Sequence, residues 1–124
     1  MPKAKKTILV VDDDERIRSM LSDVLDGEGY VVNTADGGAN GLKFALANHP
    51  DLIFLDIQMP QMDGLAMLTK LREDSWGSKA DVIILTNFDD RPRLAKAMRL
   101  GIRDYLVKAN WEIFDIIKKV KKRL

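Results

Sequence analysis

Asp56 closes a short apolar run, Leu52-Ile-Phe-Leu, and is followed closely by the turn chemistry of Met59-Pro60 and Asp63-Gly64. Four more residues with usable chemistry stand in the same relation to a β-rich stretch. Asp12 and Asp13 follow Thr7 to Val11, Thr86 closes Val82 to Leu85, and Lys108 closes Ile102 to Val107. Three carboxylates gathered within a few ångströms repel by roughly 4 kcal/mol per close pair at an effective dielectric of 20. Such a group needs raised pKa values or a cation. Few protein oxygens and room for retained water favour Mg²⁺ over Ca²⁺, which recruits a fuller oxygen cage. Lys108 supplies a point charge for a phosphoryl oxygen, and the Thr86 hydroxyl a donor to another. An acidic cation site facing a lysine suits phosphoryl transfer, with Asp56 as the acceptor.

These residues meet only if the stretches they close lie side by side and point the same way. Short apolar runs bounded by turn signals read as buried strands, and strands covered on both faces belong to parallel sheets. The sequence offers five: Thr7 to Val11, Tyr30 to Ala35, Leu52 to Asp56, Val82 to Thr86 and Ile102 to Val107. Helical patterns separate them. Ile17, Met20, Leu21, Val24 and Leu25 mark the first, and Ala39, Leu42, Ala45 and Leu46 the second. Leu65, Leu68 and Leu71 mark the third, running out at Asp74-Ser-Trp-Gly77, and Leu94, Ala97 and Met98 the fourth, opened by Arg91-Pro92. The last carries Ile113, Ile116, Ile117, Val120 and Leu124, with Asn110 expected as its N-cap. The acidic turn Asp12-Asp-Asp-Glu15 suits the start of the first helix.

Strands and helices alternating in this way require right-handed parallel crossovers, which gives an α/β fold in three layers. The expectation is a doubly wound, flavodoxin-like, five-stranded parallel sheet of order 2-1-3-4-5 with five helices. Ligands of such sheets bind in the crevice beyond the carboxyl ends of the strands, where Asp12, Asp13, Asp56, Thr86 and Lys108 converge.

At 124 residues the chain has room for one domain with a sizeable core. Its formal charge of +1 gives no overall bias toward nucleic acid or anionic membrane. Cysteine is absent, which excludes disulfide frameworks and thiol chemistry, and no apolar segment approaches the length of a membrane span. A cytoplasmic protein is the expectation. Residues 1–6 read as a basic tail and residues 7–124 as the domain, with no effector domain.

Over essentially its whole length the chain resembles the receiver domain of a two-component response regulator. The resemblance rests on Ile8-Leu-Val-Val-Asp-Asp-Asp14, on Pro50-Asp-Leu-Ile-Phe-Leu-Asp56 continuing through Met59-Pro60 and Asp63-Gly64, on Ile83-Ile-Leu-Thr86, and on Gly101-Ile-Arg-Asp-Tyr-Leu-Val-Lys108. It implies that Asp56 takes phosphate from a phosphohistidine on a sensor histidine kinase. It implies Mg²⁺ held by Asp13, Asp56 and the backbone carbonyl of Gln58, with Asp12 acting through water, and phosphoryl oxygens bound by Thr86 and Lys108. Tyr105 matches the family's rotamer switch, moving inward when Thr86 shifts. The implied output face is the fourth helix, fifth strand and last helix, read by a downstream protein partner. The implied protein is a signalling domain rather than an enzyme, monomeric or a weak phosphorylation-dependent dimer.

Three positions depart from the family pattern: Ala109 follows Lys108 where Pro in a cis peptide is frequent, Asn87 follows Thr86 where a small residue is common, and Phe88 comes next. Phe88 is read as a shield that slows hydrolysis of the phosphorylated form. Trp111 and Phe114 lie off the main stripe of the last helix, as rim packing or a partner contact. His49 reads as an exposed loop residue with no ligand role, and Lys118 to Arg123 as charge suited to a helix C-terminus, with no nucleic-acid binding expected. The alternative function is a receiver-like interaction module that is never phosphorylated. Gln58 argues against a phosphohydrolase of the haloacid dehalogenase type, which needs an acid there, and three aspartates in the first loop argue against flavin phosphate.

Overall fold

The computed structural model describes residues 5–87 and 90–124. Phe88, and with it the proposed hydrolysis shield, lies outside the described residues. Five parallel strands, β1 (Thr7–Val11), β2 (Val31–Ala35), β3 (Leu52–Asp56), β4 (Val82–Thr86) and β5 (Asp104–Val107), pair in the order β2-β1-β3-β4-β5. Five α-helices alternate with them: α1 (Glu15–Gly27), α2 (Gly38–Asn48), α3 (Gly64–Glu73), α4 (Arg91–Arg99) and, after β5, α5 (Ile113–Arg123). This is the doubly wound, flavodoxin-like order expected by analogy with other folds of that type.

Side chains alternate across a strand, so each inner strand feeds two cores. Ile8 and Val10 of β1 join Leu52, Phe54, Ile83 and Leu85 beneath α1 and α5, where they meet Leu21, Leu25, Ile116 and Val120. Leu9 and Val11 turn the other way, with Ile53, Leu55 and Ile84, to meet Met67, Leu68 and Leu71 of α3, Ala45 of α2 and Ala97 of α4. Every residue of β3 is buried, which is why that strand reads as an unbroken apolar run up to its terminal acid.

Local chemistry sets the helix ends. The Asp14 carboxylate accepts from the backbone N–H of Arg16, capping α1 as the acidic turn suggested. Asp63 likewise caps α3 by accepting from Ala66 N–H. The last helix departs from expectation. Its N-cap is Glu112, not Asn110, and α5 begins at Ile113. Asn110 instead donates its N–H to the Val107 carbonyl in a turn that keeps Lys108 at the strand end. One consequence is that Ile113, expected in the core stripe, is 53% exposed. Met98 of α4 also faces outward, leaving Ala97 as that helix's one fully buried residue. After α3 the chain makes a short 3₁₀ turn, Gly77–Lys79, where the sequence showed only a helix running out.

Trp111 packs against the α1/α5 core, whereas Phe114 is 84% exposed. His49, exposed and in the left-handed region at the end of α2, stacks on Trp76 with ring centroids 4.3 Å apart. No peptide bond among the described residues is cis, so Lys108 and Ala109 are joined in trans.

Candidate functional site

Parallel pairing brings the strand ends into one crevice. Val11 pairs with Leu55, Asp56 with Leu85, and Thr86 with Val107, which places Asp12, Asp56, Thr86 and Lys108 along one edge of the sheet. Asp12 and Asp56 are 0% and 2% exposed, while Asp13 projects into solvent beside them. Oxygens from Asp12, Asp13 and Asp56 lie within 4.8 Å of one another, close enough to share a metal ion.

Each buried carboxylate is half satisfied by the backbone that follows it. Asp12 Oδ1 accepts from Asp14 N–H at 2.9 Å, and Asp56 Oδ1 from Gln58 N–H at 3.1 Å. The other oxygens, Asp12 Oδ2 and Asp56 Oδ2, make no well-aligned hydrogen bond. Both face the Lys108 ammonium, at 2.9 and 3.2 Å. One cation therefore answers two buried anions, with Asp13 adding a third negative charge at the rim. That donor set, hard oxygens with unfilled lone pairs at a small separation, fits a hard divalent cation.

Burial raises the Asp56 carboxyl pKa to about 7, and the Asp12 charge adds to the effect against the opposing pull of Gln58 N–H and Lys108. For Lys108, burial acts to lower the pKa, but the close contact with Asp12 and the charges of Asp56 and Asp12 prevail and hold it above the ordinary lysine value. A carboxyl and an ammonium pushed upward together mark a crevice short of positive charge.

The remaining edge residues occupy distinct places. Thr86 is buried, and its hydroxyl donates to the Asn87 carbonyl at 3.1 Å. The Asn87 side chain reaches Gln58 Oε1 at 3.5 Å across the crevice mouth. Tyr105, 39% exposed, borders a cavity of about 120 Å³ that Thr86 and Leu94 also line. Arg18 was not apparent from the sequence as a site residue. It donates to the Asp12 carbonyl at 2.7 Å and so braces the β1 end from α1. Its position one turn into the helix is the only sequence signal, and that is shared with many ordinary arginines.

The family model for the response regulator receiver domain matches residues 8–121. The chain belongs to that family. This receiver is 39% identical over 104 residues to the probable transcriptional regulator ycf27 of Cyanophora paradoxa, covering 84% of this chain and 42% of the relative. It is 35% identical to the regulatory protein AtoC of Escherichia coli over 101 residues, 82% of this chain and 22% of AtoC. It thus spans less than half the length of these curated relatives. Among solved structures, the chemotaxis protein CheY4 of Vibrio cholerae superposes with a TM-score of 0.89 at 29% identity, covering 98% of this receiver and 100% of that chain. Receivers of this family are signalling domains with an acidic cation pocket, and the Asp12, Asp13 and Asp56 group has the composition of one. None of the described helices is long and apolar enough to cross a membrane.

Gly64 holds the receiver's acidic loop against its neighbours. A Cβ at this position would land on the Asp56 carbonyl oxygen and come within 2.7 Å of Ile57 Cα, both backbone atoms with little freedom to move. Gly64→Ala is expected to destabilise the fold by about 2 kcal/mol and to displace Asp56. Urea unfolding measures the first effect, and loss of Mg²⁺-induced stabilisation the second.

Proposed function

We propose that this receiver accepts a phosphoryl group on Asp56 from the phosphohistidine of a sensor histidine kinase, in a reaction that depends on Mg²⁺. The observation that carries the reading is the paired approach of Lys108 to Asp12 Oδ2 and Asp56 Oδ2 in a buried crevice. A carboxylate oxygen of Asp56 attacks phosphorus as the bond from phosphorus to the histidine nitrogen breaks, and the imidazole leaves with its electron pair. The attacking form is the carboxylate, which the Lys108 charge favours.

Asp13, Asp56 and the backbone carbonyl of Gln58 would hold Mg²⁺, with Asp12 acting through water. When bound, the ion neutralises charge on the phosphoryl oxygens and favours ionised Asp56. Lys108 is then free to pair with one phosphoryl oxygen, and Thr86 to turn its hydroxyl from the Asn87 carbonyl to another. As Thr86 moves into the crevice, Tyr105 turns into the cavity beside it and remodels the surface of α4, β5 and α5. Moving such an equilibrium from 1:99 to 99:1 takes about 5.5 kcal/mol of differential binding, within reach of new charge-assisted bonds to a dianion. Helix α4, with one fully buried residue, is suited to shift. A downstream protein reads that face, with the receiver working as a monomer or a weak phosphorylation-dependent dimer.

Intact-mass measurement after treatment with acetyl phosphate and Mg²⁺ tests the proposal. One phosphoryl mass gain is expected in the parent, with none in Asp56→Asn and none after chelation. No gain in the parent would overturn it and favour an interaction module that works without phosphate.

A further inference from the structure

At the opposite edge of the sheet, between the α3–β4 connection and the end of α5, lies a polar pocket of about 510 Å³. Arg72, Lys79, Arg103 and Arg123 line it, with Asp81 as the one carboxylate in the wall. Asp81 is paired with Arg123. Arg72, Lys79 and Arg103 form no close ion pair among the described residues, so three positive charges line the pocket with Asp81, which also acts on Arg72, as the one carboxylate in its wall.

Arg72 is the fixed element. Its Nε donates to the Leu100 carbonyl at 2.7 Å, and its Nη1 to the Gly77 and Ala80 carbonyls at 2.8 Å each. These neutral acceptors lock the guanidinium plane in a half-buried position but do not neutralise its charge, which only Asp81, without a close ion pair, offsets. Nη2 has no acceptor among the described residues. Beside it, Gly101 sits at φ +86 with no side chain to cover that edge of the fork. A rigid, part-buried guanidinium with an open edge, flanked by two exposed cations, is arranged for phosphate oxygens.

We propose that this pocket binds a small oligophosphate, a ligand with two or more linked phosphoryl groups. A single orthophosphate would leave much of a pocket of about 510 Å³ empty. No aromatic side chain lines the walls, so a nucleobase would find no stacking surface, and the phosphate chain itself is what the site recognises. The pocket is separate from the Asp56 crevice, and its assignment is independent of the phosphoacceptor reading.

Titration calorimetry of the whole chain with inorganic triphosphate, in low-salt buffer without divalent cations, tests this. Saturable 1:1 binding that weakens with added salt is expected. The exposed pair Lys79→Ala/Arg103→Ala should weaken it about tenfold or more. The control pair Lys121→Ala/Lys122→Ala, basic residues outside the pocket, should leave it nearly unchanged. ATP should bind about as tightly as triphosphate. No saturable heat at millimolar triphosphate, or equal weakening in the control pair, would overturn the proposal. ATP binding more than about tenfold tighter would overturn recognition by the phosphate chain alone.

Discussion

Lys108→Met is expected to destabilise the metal-free protein by about 3–5 kcal/mol at pH 8, the range for removing one partner from a buried ion pair. The physical cause lies in what the lysine leaves behind. Asp12 Oδ2 and Asp56 Oδ2 face its ammonium and make no well-aligned hydrogen bond, so its loss strands two carboxylates that are 0% and 2% exposed. Methionine keeps most of the apolar stem, which separates the lost charge from lost packing. Mg²⁺ should restore much of the deficit, because the cation supplies the counter-charge that the lysine no longer provides. The stabilisation by Mg²⁺ is therefore expected to be larger in Lys108→Met than in the parent. Urea unfolding of both proteins, with and without Mg²⁺, gives all four numbers. Equal stability of the two metal-free proteins would show that Asp12 and Asp56 do not rely on Lys108 for their charge balance.

That balance was legible in the sequence because strand ends carry positional information. The three inner runs, Ile8 to Val11, Ile53 to Leu55 and Val82 to Leu85, are buried on both faces, so they stand out as continuous apolar segments and their last residues identify the crevice, whereas the edge strands β2 and β5 are only partly covered. Alternation with helices then fixes the parallel direction, and Asp12, Asp56, Thr86 and Lys108 fall on one edge. The errors lie where local pattern and tertiary demand diverge. Ile113 fits the α5 periodicity, yet the loop from Lys108 to Glu112 delays the helix and leaves that residue in solvent. Met98 fits the α4 period too, but a helix with so slender an inner face turns it outward. Arg18 and Arg72 act through their guanidiniums on backbone carbonyls, Arg72 on residues as distant in sequence as Leu100. Such bonds exist only once the chain is folded, and no local spacing announces them.

Asp56→Asn is expected to stabilise the metal-free fold at pH 8 by on the order of 3 kcal/mol, even as it removes the proposed phosphoacceptor. In the folded state the Asp56 pKa is raised from 3.8 to about 7 by burial and by the charge of Asp12. The folded chain therefore binds more protons than the unfolded chain between those two values. A raised pKa of this kind contributes stability that is fully present below about pH 4 and is lost as pH rises through about 7. Asparagine has no proton to lose, so the variant's curve lacks this decline, and the two proteins should diverge across that window. Asp104 acts in the opposite sense. Burial raises its pKa, but the Lys119 hydrogen bond and charge outweigh that and hold it below the ordinary value. Its contribution appears above the unfolded pKa and is lost in acid, equally in parent and variant, so the difference between the two curves isolates Asp56. Mg²⁺ should shrink or reverse the difference, since on the proposed reading the carboxylate that costs stability without a cation would become one of its ligands. Thermal unfolding from pH 4 to 8, with and without Mg²⁺, measures both effects. A pH-independent difference would place the Asp56 charge outside the stability balance of the crevice.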